Sequence, residues 1–336
     1  MRLPRLMIPH KGRLTVLALV VGTATAVMFL TGPAQANAPR PNGMLTFARS
    51  NPALGDTQAW VVNPDGTGER LIQGPTDTGE FPKWFRDGAH IATCCDSPGG
   101  GSRIINPDDG TFRDVDGQYP GLFNPCGIPS PDGTLLLCET FSDDGSQNGM
   151  HTIRASDGGG LTQITSNPGG DDVPGSWSPN GRRIVFQRFS PSGDPEGVFV
   201  VSVNGTGLKR ILSPTVSANC CTFSWSPQGN EIAFSRHATP DVHSSLWVMH
   251  SDGSGLRPLP VPPGSGCGGP NDDSAAIGCL EPAWSPDGTK IAFAGGLDLD
   301  TDGQIYTMNL DGTGLTQVTH TGGSLGPDWG VHPLAQ

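Results

Sequence analysis

One pattern of apolar and polar positions recurs along this chain. An aromatic residue is followed by a Ser-Pro-Asp-Gly turn, two polar positions and a short apolar run, as in Trp284-Ser-Pro-Asp-Gly-Thr-Lys-Ile-Ala-Phe293. Copies begin at Trp84, Pro129, Trp177 and Trp225, and a sixth start, Pro327-Asp328-Trp329-Gly330, meets the end of the sequence. Each copy leads into a second signature, an apolar strand closed by a glycine-rich turn, as in Gln304-Ile-Tyr-Thr-Met-Asn-Leu-Asp-Gly-Thr-Gly-Leu. The spacings between successive Trp positions are 45, 48, 48, 59 and 45 residues. A repeat of this length that recurs through the chain marks an array of small structural units.

The turn chemistry predicts what one unit is. Proline presets φ and glycine supplies a position at positive φ, so the chain reverses into the β-favouring Ile-Ala-Phe run. The Asp-Gly-Thr-Gly segment reverses it again between the next two strands. Each unit is then an antiparallel sheet of about four strands, too small to bury its own faces, and it has to stack on its neighbours. Arranged radially, such units make a β-propeller. The two ends of the repeat region are complementary. Met44-Leu-Thr-Phe-Ala-Arg49 is the apolar strand without its Trp-turn, and Trp329 is the Trp without its strand. The sequence therefore predicts an all-β, six-bladed β-propeller, closed by pairing the C-terminal strand with the N-terminal strands.

Residues 1–36 stand outside the repeat and read as a secretory signal peptide. Arg2, Arg5, Lys11 and Arg13 precede an apolar run from Leu14 to Leu30, and Ala34-Gln35-Ala36 offers a small-x-small exit. Residues 37–42 form a short N-terminal segment, and 43–336 form the propeller. The whole chain carries a formal net charge of −12. Without the leader, 16 basic residues face 32 acidic ones, a charge of −16. That balance excludes nucleic-acid binding by phosphate neutralisation and predicts no membrane span after cleavage. All eight cysteines, Cys94, Cys95, Cys126, Cys138, Cys220, Cys221, Cys267 and Cys279, fall in the exported part, where thiols oxidise. Their number allows many connectivities. The blade at Pro129 lacks its Trp, and a Cys126–Cys138 crosslink on that blade is expected to compensate.

The Trp-Ser-Pro-Asp-Gly-x-x-Ile-Ala-Phe turn and strand, followed by Ile-Tyr-x-Met-x-x-Asp-Gly-x-Gly, resembles the WD40-like repeat of the TolB-type six-bladed propeller. The resemblance runs over about residues 43 to 331. It implies the fold far more than the activity, because related propellers serve both as envelope proteins and as gating domains of peptidases. Only Asn37 to Gly43 precede the first strand, so a lone propeller without the N-terminal α/β domain of TolB is expected. The sequence ends at Gln336, and a hydrolase domain like the one that follows the propeller in the peptidases is not expected.

Three further features bear on function. Asp298-Leu-Asp-Thr-Asp-Gly303 places Asp298, Asp300 and Asp302 as in the front half of a calcium loop, although Asn309 stands where a bidentate Glu belongs. The segments before each Trp should converge at one mouth of the channel, bringing together Glu80, Asp171, Asp172, Asn219, Asn271, Asp272, Asp273 and Glu281. Such a ring focuses a negative field and suits a cationic group or a metal. The histidines lie in different repeats without ligand spacing, and most of them read as surface residues. No nucleophile, base pair or cofactor fingerprint rises above the repeat. The expectation is a monomeric exported scaffold that binds an envelope or extracellular protein or peptide, with Ca2+ the one candidate cofactor. The alternative is a propeller enzyme of the lactonase or lyase kind with a metal at the channel mouth.

Overall fold

A computed structural model describes residues 40–74, 77–94, 101–115, 119–214, 223–237, 244–262, 278–296 and 302–335. Among the described residues the repeats fold as six blades of four antiparallel strands, with a fifth strand in blade 3. Blade 1 joins the two ends of the chain. Its innermost strand is Ser324–Trp329, which pairs with Leu45–Asn51, and Asp56–Val62 and Arg70–Leu71 follow outwards. The register sets Leu45 against Trp329 and Arg49 against Ser324. Blades 2 to 6 start from the inner strands Glu80–Trp84, Cys126–Pro129, Asp171–Trp177, Phe223–Trp225 and Gly278–Trp284. The predicted closure holds, and it leaves the joining blade without a free inner edge.

The Ser-Pro-Asp-Gly turns close by a common set of bonds. In blade 6 the Gly288 N–H donates to the Ser285 carbonyl at 2.8 Å, and the Ser285 hydroxyl accepts from the Lys290 N–H at 2.9 Å. That hydroxyl donates to Asp287 Oδ1 at 2.7 Å, and the same oxygen caps the Thr289 N–H at 2.9 Å. Gly288 sits at φ +75°, a conformation open to glycine at little cost. Asn180 takes the part of the aspartate in blade 4, with the Ser178 hydroxyl 2.9 Å from it.

Packing occurs between blades rather than within them. Six buried apolar clusters each draw on two adjoining blades. Val185, Val198 and Val200 of blade 4 meet Phe223, Ile232 and Phe234 of blade 5, while Leu45 and Phe47 of blade 1 meet Ala292, Ala294 and Ile305 of blade 6. The phenylalanines that end the Ile-Ala-Phe strands, Phe47, Phe186, Phe234 and Phe293, are fully buried. Blade 3 departs from the others. Its strand Leu135–Ser142 pairs with Cys126–Pro129 and, beyond it, with the extra strand Leu122–Phe123. Cys126 lies opposite Cys138 and is bonded to it, as expected from the missing Trp. Cys94 and Cys279 are also disulfide-bonded. Cys95, Cys220, Cys221 and Cys267 lie outside the described residues, as does the segment 1–36 read from the sequence as a signal peptide.

Candidate binding site

The inner strands surround an axial cavity of about 760 Å3. In five of the six blades the pairing of the inner strand is broken by a bulge in its register, the exception among the described residues being Phe223–Trp225 of blade 5. In three blades the residue three places before the Trp adopts positive φ and precedes a proline: Phe81 at 47°, Glu281 at 56° and Gly326 at 61°. Only the last is a glycine, so Phe81 and Glu281 hold a conformation that costs a side-chain-bearing residue free energy. The prolines have no N–H to lose from the ladder, which is why the bulge tolerates them.

The residues just before the Trp positions link the blades around the cavity. Asp328 Oδ2 accepts from the Trp84 N–H at 2.8 Å. The Ser176 and Ser224 hydroxyls accept from the Trp225 and Trp284 N–H groups, both at 3.1 Å. In blade 2 this place is held by Lys83, and the next blade offers Pro129, which has no N–H to give. Lys83 instead acts on two carboxylates. Burial raises Glu281 and Asp328 above the ordinary carboxylate range, and in both the Lys83 charge opposes that rise. Glu281 also accepts from the Gly326 N–H, which joins blade 6 to blade 1.

The end of the cavity formed by the Pro-Asp-Gly turns is crossed by arginines. Arg86 of blade 2 donates through Nη1 to the Pro179 carbonyl of blade 4, and Arg40 Nη1 donates to the Arg86 carbonyl at 2.7 Å. Burial and the neighbouring Arg40 charge lower the pKa of Arg86. His332 stacks on Trp84 at 5.3 Å, with Nδ1 2.8 Å from the Gly88 carbonyl and Nε2 3.2 Å from Asp108 Oδ1. His332 and His151 are therefore interior residues, against the expectation of a surface place for most of the histidines. Stacking on a tryptophan contributed by a distant repeat covers the first. Placement on a strand between two packed blades covers the second.

The opposite mouth is aromatic. Phe81 and Phe123 line it with 47% and 45% of their surface exposed, and Phe123 and Phe141 stand ring to ring at 6.3 Å. Glu139 lines the same cavity, and its pKa is pushed up to about 7 by burial and then by Asp171 and Asp172. Asp172 is fully buried and held by Arg188 through two bonds of 2.6 Å. Asp171 is raised by burial and by Asp172. Glu80 shares a hydrogen bond with Asp56, and burial followed by the Asp56 charge raises it.

The acidic ring expected at this mouth is thus only partly assembled. Of its described members, Glu281 lines the cavity while Glu80, Asp171 and Asp172 do not. Asp172 is turned to Arg188, its partner across the ladder, and Glu80 meets Asp56. Asn219, Asn271, Asp272 and Asp273 lie outside the described residues, as do Asp298 and Asp300 of the calcium loop; Asp302 is described and exposed. Among the described residues no three His, Cys, Asp or Glu side chains gather into a group that could hold a metal. One Gly-x-Ser-x-Gly string occurs, Gly322 to Gly326, but it is no nucleophile elbow. Ser324 is fully buried in the closing ladder and its Oγ accepts from Arg49 Nε at 3.2 Å.

Glu139, Phe123, Phe141, Lys83 and Asp328 escaped the sequence reading. A signal for Glu139 was present in the repeat. The equivalent places hold Ala48, Gln187, Ser235 and Ala294, and the next place holds Thr140 where three other blades hold Arg49, Arg188 and Arg236.

Comparison with known proteins places the fold. TolB from Acinetobacter baumannii superposes with a TM-score of 0.66 at 17% identity, over 85% of this chain and 66% of that one. A putative TolB from Agrobacterium tumefaciens gives 0.62 at 18% identity, over 87% and 94%. The fold is that of the TolB propeller. The chain spans just under two thirds of the length of the Acinetobacter TolB. The same propeller architecture also occurs in a nidogen/laminin complex, at a TM-score of 0.61 and 9% identity over 87% of this chain and all of that one. No family model matches the chain. No curated protein matches it either. No helix among the described residues is long and apolar enough to cross a membrane.

Proposed function

We propose that this TolB-like propeller is a binding scaffold of the cell envelope or extracellular space, and that it takes an apolar segment of a partner protein into the aromatic mouth of its axial cavity. The observation that carries this reading is the mouth itself. Phe81 and Phe123 leave nearly half of their surface in water at the rim of a cavity of about 760 Å3. A large aromatic held open on a rigid scaffold gains free energy when a partner covers it, and such residues dominate the energetics of interfaces. The leader expected from the sequence and the disulfide Cys126–Cys138 support a place outside the cytoplasm. The described residues at the other end of the cavity are engaged with one another, through Arg86, Arg40 and His332, and so offer less to a partner.

The test is selection from a displayed library of random peptides on the immobilised protein, with a Phe81→Asp/Phe123→Asp variant in parallel. Apolar peptides should be enriched on the natural sequence and should lose at least tenfold in affinity on the variant. Failure to enrich any peptide, or equal binding by the variant, overturns the proposal.

A further inference from the structure

We propose that the blade 3 corner of this mouth, made by Phe123, Phe141 and Glu139 and backed by Asp171 of blade 4 from outside the cavity lining, is a subsite for a lysine or arginine side chain of the bound segment. The inference rests on the reading of the mouth as a peptide-binding site. It begins from the strand Leu135–Ser142. Side chains alternate along a strand, so Leu137, Glu139 and Phe141 share one face, and all three line the cavity. Phe123 stands opposite Phe141 in the ladder. The corner therefore offers two ring faces and a carboxylate within the span of three residues.

The charges there are uncompensated. Besides Glu139, two carboxylates line the cavity and both have partners: Glu281 takes the Gly326 N–H and Asp328 takes the Trp84 N–H. Asp172 has Arg188. The Glu139 and Asp171 carboxylates take neither a hydrogen bond nor an ion pair among the described residues, and the proximity of Asp171 and Asp172 to Glu139 works against its ionised form. The cations of the cavity, Lys83, Arg86 and Arg40, belong to its middle and to its turn end. A cationic group that enters the corner relieves the repulsion between Glu139 and Asp171 and is attracted by the negative faces of the two rings. An anionic side chain finds only like charge, and a neutral apolar one covers the rings but leaves the carboxylates uncompensated. The aliphatic stem of lysine or arginine suits the same rings, because such side chains pack along apolar surface while their charged end stays polar.

The test uses the folded protein and four capped peptides of sequence Ala-Leu-Phe-X-Leu-Ala, with X as lysine, arginine, norleucine or glutamate, titrated by calorimetry. Lysine and arginine should bind at least tenfold more tightly than norleucine, and glutamate more weakly than norleucine. In Glu139→Gln, the lysine and norleucine peptides should bind within about twofold of each other. Equal binding of lysine and norleucine by the natural sequence overturns the subsite while leaving the peptide-binding reading in place. If none of the four binds, that reading falls and the subsite falls with it.

Discussion

Blades 3 and 4 stand side by side and are built from the same repeat, yet they treat a buried carboxylate in opposite ways. In blade 4, Asp172 is fully buried and Arg188, opposite it in the ladder, meets it with two bonds of 2.6 Å. The guanidinium also lies over Phe186 and Phe199, 5.6 and 5.5 Å from their ring centres. Blades 1 and 5 repeat the stacking, with Arg49 4.6 Å from the Trp60 ring and Arg236 4.7 Å from the Trp247 ring. Blade 3 has Thr140 at the arginine position and Glu139 beside it, with no cation among the described residues to meet it. The comparison teaches where a repeat protein keeps its site. Blades 1 and 4 neutralise the arginine of this strand internally, through Glu69 and Asp172, and blade 3 leaves a carboxylate and two aromatic rings at the cavity without such a partner among the described residues.

Breaking the satisfied pair should have the largest effect. In Asp172→Asn the Arg188 guanidinium keeps its buried place but loses its counter-charge. Removing one partner of a buried pair costs about 3–5 kcal/mol, much more than the net worth of the pair. Urea denaturation should show that loss, and a change below about 1 kcal/mol would mean that water already screens the pair. Removing the unsatisfied charge should do the reverse. The pKa of Glu139 rises from 4.5 to about 7 on folding. A carboxyl whose folded pKa is raised binds its proton more tightly in the native state, so it loses stability as pH rises through this window and is neutral in its effect below it. At about pH 8 the ionised group costs roughly 3 kcal/mol, taken from that difference at 1.36 kcal/mol per unit. Glu139→Gln should therefore be more stable than the natural protein by up to that amount at about pH 8 and equal to it at about pH 4. Parallel stability profiles for the two proteins would refute the assignment.

The same contrast explains what could be read in advance. Blade number, the closing strand and the turn residues were legible because each rests on local chemistry repeated many times: a proline that sets φ, a glycine at positive φ, an apolar run of alternating face. The disulfide of blade 3 was legible because a cysteine pair stood where the Trp was missing. The site was not legible in this way. Whether a carboxylate faces the cavity depends on a bulge and on a cross-strand partner, and neither has a signature at fixed spacing. Asp172 and Glu80 looked like members of one acidic ring until Arg188 and Asp56 were seen to engage them. Phe123 belongs to an extra strand outside the repeat, and the place of His332 depends on Trp84, which comes from another blade. The signal that did exist was negative, a threonine where three other blades carry arginine.

That threonine gives the smallest test and the one that isolates blade 3 most cleanly. Thr140 is 1% exposed and its hydroxyl has no hydrogen-bond partner among the described residues, whereas Thr46 of blade 1, on the corresponding strand and fully buried, donates to the Trp60 carbonyl at 2.9 Å. Valine has nearly the shape of threonine and lacks only the hydroxyl, so the same substitution asks the same question at two places. A buried hydroxyl without a partner forfeits its hydration for nothing, while a bonded one recovers about 1 kcal/mol. Thr140→Val should therefore stabilise the protein by about 1 kcal/mol and Thr46→Val should destabilise it by about the same, both read as shifts of the urea midpoint at unchanged slope. Opposite signs would confirm that blade 3 carries unmet polar groups where blade 1 has met them. A loss of stability at both places would mean that the Thr140 hydroxyl finds a partner in water, and that the corner around Glu139 is more hydrated than its burial implies.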